Sequence, residues 1–131
     1  MRAGIEVRDA HFPGRAPIDA YGNGGFRFAD MSHRGSVLLL PSGIYGWPPR
    51  MFGDVDLASL NIILQEANDI DVLLFGCGKD LMALPPDLRS AIQESGISYD
   101  MMSTGAAVRT YNVLLAEERK VAAALIAVDA A

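Results

Sequence analysis

Two short segments of this chain carry residue types that could hold or activate a ligand. The first is Gly76-Cys77-Gly78-Lys79-Asp80, directly after the apolar run at 70–75. The second is Ser103-Thr104-Gly105, after residues 97–102, with Arg109 and Asn112 in the helix that follows. If the two runs are parallel strands, both segments lie at strand carboxyl ends, where α/β sheets collect their ligands. A helix start presents free N–H groups and a partial positive charge, to which Lys79 and Arg109 would add two cations. That chemistry suits a carboxylate or another small anion. The candidate ligand-binding set is therefore Gly76, Cys77, Gly78, Lys79, Thr104, Gly105, Arg109 and Asn112. The same residues have a purely structural reading, because Ser and Thr cap helices and Gly-x-Gly makes tight turns. Cys77 either faces a helix N-terminus and is acidified, or is a small buried hydrophobe.

Other chemistries lack their residues. Leu81 stands where a dinucleotide fingerprint needs its third glycine, and Gly78-Lys79 is followed by Asp80 rather than Ser or Thr. No serine sits in a Gly-x-Ser-x-Gly elbow, and His11, His33 and Cys77 have no metal-ligand spacing. Asp54, Asp56, Asp69 and Asp71 flank a helix and read as cap and turn residues rather than an acid–base couple. The reading is no catalytic residue, no metal and no cofactor. A different device is the proline-stiffened loop around Trp47-Pro48-Pro49. Tyr45, Trp47 and Phe52 could anchor a protein partner there, since aromatics give large contact area at low entropy cost, or plug the edge of the core.

The elements that position these groups follow from pattern. The chain has 131 residues, 50% hydrophobic, with 11 basic and 16 acidic side chains and a net charge of −5. That is one domain's length, and the acidity argues against nucleic acid or an anionic membrane as the main partner. A single cysteine excludes an internal disulfide. No signal peptide and no run long enough to span a bilayer are visible, which gives an expectation of a cytoplasmic protein. Residues 1–17 read as an irregular arm and 18–131 as one α/β domain. Glycines recur through 18–47 between short aromatic and β-branched pieces, which predicts an antiparallel meander. Beyond it, helices are expected from 57 to about 67, from 85 or 86 to 93, and from 104 onward, alternating with strands at 70–75, 97–102 and 121–128. The last of these, with three alanines, could also continue the helix. The alternation implies crossover units and a mixed, mostly parallel sheet.

Tyr21-Gly22-x-Gly24-Gly25-Phe26, Trp47, Gly76-Cys77-Gly78, Thr104-Gly105-Ala106-Ala107-Val108-Arg109-Thr110-Tyr111-Asn112, Glu117, Arg119 and Val121-Ala122-Ala123-Ala124-Leu125 together resemble one family. It is the family of small bacterial and archaeal proteins that includes mitochondrial respiratory complex I assembly factor 3. The resemblance covers nearly the whole chain beyond residue 16 and departs from the family at Cys77, where threonine is more common. It implies three layers around a central mixed sheet, no established enzymatic activity, and a role through protein–protein contacts at a membrane complex. The resulting expectation is a non-enzymatic, assembly-factor-like protein with protein partners, placed in the cytoplasm or held at the inner membrane through a partner. Two other readings stand beside it: a small-molecule or anion-binding protein, with or without enzymatic activity, using the Gly76–Lys79 loop and the Ser103–Arg109 helix start, and a homo-oligomer joined through the aromatic loop.

Overall fold

The structure is a computed structural model that describes residues 12–130. Most of the arm expected at 1–17 lies outside the described residues; from its end, Phe12 bridges to Ile44, and Ala16 is buried. The glycine-punctuated first third forms five strands: β1 (Ala20–Gly22), β2 (Gly25–Phe28), β3 (Met31–Arg34), β4 (Ser36–Leu40) and β5 (Gly43–Trp47). Tight two-residue turns at Asn23-Gly24 and Ala29-Asp30 join the first three, with all four residues at positive φ, as the twist of a hairpin demands. The meander does not stay in one sheet. It divides at Gly35, whose φ of 96° lets the chain leave one sheet and begin the next. Strands β1-β2-β3 form a small antiparallel sheet, and β4 and β5 join a second sheet.

The remainder is α1 (Leu57–Leu64), β6 (Val72–Gly76), α2 (Pro86–Ser95), β7 (Ser98–Met102), α3 (Thr104–Ala116) and β8 (Val121–Leu125). Each boundary has a local cause. Asp56 caps α1 by accepting from Ser59 N–H at 2.8 Å, Pro86 opens α2, and Gly96 closes it at a φ of 84°. The expected first helix ends early, at Leu64, in a short 3-10 turn over Ala67–Asp69. The ambiguous alanine run is a strand, because it lies at the centre of the second sheet, in the order β5-β4-β8-β6-β7. That sheet is mixed: β8-β6-β7 run parallel, and β5-β4-β8 antiparallel.

Both faces of the central sheet are covered, which explains its continuous apolar strands. Leu38, Leu40, Leu73, Phe75, Ala122 and Ala124 turn to α1 and α2, where Leu60, Ile63, Leu88 and Ile92 meet them. Val37, Leu39, Leu74, Val121, Ala123 and Leu125 turn to the opposite side, against α3 and the small sheet through Ala107, Val108, Tyr111, Phe26 and Phe28. The result is three layers.

Candidate functional site

The two glycine- and hydroxyl-bearing corners are neighbours. Gly76 stands opposite Met102 across β6/β7 and opposite Leu125 across β6/β8. Helix α2 crosses on one face and α3 returns on the other, so the strand order reverses at β6. Such a reversal normally opens a ligand crevice. Here the corners are bonded to each other instead. Cys77 N–H donates to Met102 O at 2.8 Å, and Thr104 N–H donates to Gly78 O at 2.9 Å. The buried Thr104 hydroxyl accepts from Gly78 N–H at 3.0 Å and donates to Ile126 O at 2.7 Å. Ile126 N–H completes the seam by donating to Gly76 O at 2.9 Å. A Cβ on Gly76 would come within 2.9 Å of Leu125 Cδ2 and 3.0 Å of Thr104 Cα, so the glycine is required for this closure. The shared hollow expected at this point is filled by Thr104.

The remaining candidates divide accordingly. Ser103 Oγ accepts from Ala106 N–H at 3.3 Å, an ordinary cap for α3. The Tyr21 phenol lies directly over Gly105, where a Cβ would collide with its hydroxyl. Asn112 clamps the start of the small sheet, its Oδ1 accepting from Ile18 N–H at 2.9 Å and its Nδ2 donating to Ile18 O at 2.8 Å. Lys79 is exposed, and Arg109, also exposed, places its Nη1 over Gly105 beside the Tyr21 phenol. Of the two readings of Cys77, the geometry fits the buried one: loss of hydration pushes its pKa up, against weaker hydrogen bonding from the Met82 and Met102 backbone. The aromatic loop is likewise part of the core. Trp47 and Phe52 are each 4% exposed, Trp47 Nε1 donates to Ser59 O at 3.1 Å, and Phe52 meets Phe75 edge-to-face at 5.7 Å. Tyr45 is half-buried, its hydroxyl bonded to Ser42 Oγ. Of the two readings of that loop, the geometry fits the plug.

Two concave surfaces lie away from the corner, and pattern reading overlooked both. One is a groove of about 510 Å³ between the starts of α1 and α2, lined by Val55, Asp56, Leu57, Ala58, Pro85, Asp87 and Leu88. Large apolar side chains stand in water in the segments leading into it: Met51 at 63% exposure, Leu57 at 45%, Leu81 at 67% and Met82 at 44%. Asp56, which caps α1 there, has its pKa lowered by hydrogen bonds from the Ser59 backbone and side chain, so the groove keeps that negative charge into acid. The other is a hollow of about 480 Å³ on the small sheet, lined by β1, β2 and β3. Its signal was the alternation Gly25-Phe26-Arg27-Phe28, which turns phenylalanines inward and an arginine outward from a glycine-rich surface. Among the described residues, no group of three or more His, Cys, Asp or Glu could hold a metal ion.

Fold and corner together define a class: a three-layer α/β domain whose switch point is sealed by a buried threonine rather than opened for a cofactor. Within that class, the chain belongs to the family described as "Protein of unknown function (DUF498/DUF598)", which it matches over residues 18–126. An uncharacterized protein of Rhodobacter capsulatus is 41% identical over 91% of this chain and 90% of its own length. NADH dehydrogenase (ubiquinone) 1 alpha subcomplex assembly factor 3 of Xenopus tropicalis is 28% identical over 83% of this chain. This chain spans only 60% of that longer relative. Among solved structures, a Bartonella henselae chain described as an outer membrane protein has 60% identity and a TM-score of 0.87, over 91% of this chain and 100% of its own.

Proposed function

We propose that this chain is an assembly-factor-like protein that binds a subunit of a respiratory NADH dehydrogenase, or of a comparable membrane complex, and catalyses no reaction itself. The kinship with assembly factors supports the role, and so do the exposed apolar side chains on the segments that lead into the α1/α2 groove, Leu57 in its lining among them. Burying a leucine side chain yields roughly 1.5–3 kcal/mol, and at 67% exposure most of that is unrealised for Leu81. An apolar floor edged by Asp56 and Asp87, with no basic residue in its lining, suits a basic amphipathic segment of the client. No helix among the described residues is long and apolar enough to cross a membrane, and in this reading the protein is held at the membrane by its client. The rival reading, an anion between the Gly76–Lys79 loop and the start of α3, loses support because the amide and hydroxyl donors of Gly78 and Thr104 are engaged within the corner.

Deletion of the chromosomal copy, followed by native electrophoresis of membranes, tests this. Assembled NADH dehydrogenase should fall and return with the wild-type chain, but not with Leu57→Glu/Leu81→Glu. Normal assembly in the deletion strain, or full rescue by the folded double variant, would overturn the proposal.

A further inference from the structure

We infer that the outer face of the β1–β3 sheet binds the phosphate group of a small phosphate ester, independently of any protein client. Strand register lays out two rows across this face. One reads Ala20, Arg27, Ser32, and the next reads Gly22, Gly25, Arg34. Phe26 and Phe28 point the other way and are buried, while Arg27 and Arg34 are exposed. The two arginines occupy diagonal positions on adjacent antiparallel strands, where backbones lie about 7–8 Å apart and long side chains can meet. Beside them, Gly22 and Gly25 place no side chain in the lining of a hollow of about 480 Å³, and a Cβ on Gly25 would collide with the His33 carbonyl of β3. That volume is within the range of sites for small organic ligands, roughly 300–1,000 Å³, and larger than a bare phosphate requires. Asn23 and Ser32 border the remaining volume and offer polar atoms to the rest of an ester.

Charge makes the same point. Like charges so placed on a sheet repel, and a chain of net charge −5 does not need this pair for solubility. Neither arginine has an ion-pair partner among the described residues. A dianion between them removes the repulsion and accepts two forked, charge-assisted hydrogen-bond pairs, the geometry for which a guanidinium is preorganised. The floor is also held in place. Asn23 N–H donates to Asp129 O at 2.8 Å, Gly24 N–H to Val128 O at 2.9 Å, and Gly35 N–H to Gly24 O at 2.7 Å, so little ordering remains to be done on binding. The phosphate could belong to a soluble ester or to a lipid headgroup, and the two sources are separable.

Titration of the ¹⁵N-labelled chain with inorganic phosphate and with glycerol 3-phosphate should move the amides of Gly22, Gly25, Arg27 and Arg34 saturably. Arg27→Ala/Arg34→Ala should weaken binding by at least about tenfold, as expected for losing charge-assisted hydrogen bonds. Ser32→Glu, which keeps both arginines but sets a carboxylate opposite Arg27, should do the same and guards against misfolding of the double variant. Lys79→Ala should change nothing. Co-sedimentation with phosphatidate vesicles forms the second arm: binding to vesicles alone assigns the headgroup, and binding to the soluble ester assigns the metabolite. Absence of binding in both arms, binding that survives both variants, or shifts centred on Lys79 and Arg109 would overturn the inference.

Discussion

Thr104 occupies the place where a ligand of an α/β sheet would sit. Its hydroxyl bonds Gly78 N–H on one side and Ile126 O on the other, and the side chain has no exposed surface. Thr104→Val preserves the shape but leaves a buried donor and a buried acceptor without their partner, a loss of about 2–3 kcal/mol. Urea denaturation should show that loss in full for Thr104→Val, whereas Thr104→Ser should recover most of it. Equal stability of the valine variant would mean that the seam is held by packing alone. Ser or Thr ahead of a helix was legible in the sequence as a cap. That Ser103 is the cap while Thr104 turns inward to Ile126 depended on a strand 22 residues further on.

Among the elements, α3 has most to connect. Ala107, Val108 and Tyr111 bury one side against the central sheet, and Asn112 holds both backbone groups of Ile18, which leads into β1. The stripe was visible as helical spacing, but the role of Asn112 was not, because its partner lies 94 residues away. Asn112→Ala should cost about 1–3 kcal/mol, since the Ile18 N–H and carbonyl are left partly buried and unpaired. Hydrogen exchange should then speed up over β1 more than over β6 or β8. A uniform change would show that the small sheet does not depend on this clamp. The aromatic loop makes a related point: Trp47 and Phe52 read equally well as anchors or as core, and only the helix packed behind them, through Ser59 O, made them core.

For the molecule as a whole, the buried side between α3 and the sheet sets a limit in alkali. Tyr111 is 1% exposed, and burial pushes its pKa from 10.0 up to about 12, with the Arg15 charge opposing. A raised folded-state pKa means that the contribution is complete below the unfolded value and is lost as pH rises through the folded one. Stability should therefore hold up to about pH 10 and fall by about 2–3 kcal/mol between pH 10 and 12. Thermal melts of the wild type and Tyr111→Phe across that range check the assignment. The phenylalanine variant should lose this component of the decline, and identical profiles would place the limit elsewhere.

Alone, the sequence determined the order and kind of most elements, the start of the first long helix at Asp54 or Asp56 and of the second at Pro85-Pro86, the family resemblance and the missing catalytic motifs. All of these are written in local spacing and in residue types that backbone geometry restricts. It left open whether 121–128 is strand or helix, and it ran β1 to β5 together as one meander. Only the tertiary structure decided that the switch point is closed, that the aromatic loop is interior, and that Arg27 and Arg34 lie diagonally on one exposed face of the small sheet. Those outcomes depend on which distant segment fills a given space, and burial and hydrogen-bond satisfaction are settled between segments, not within them.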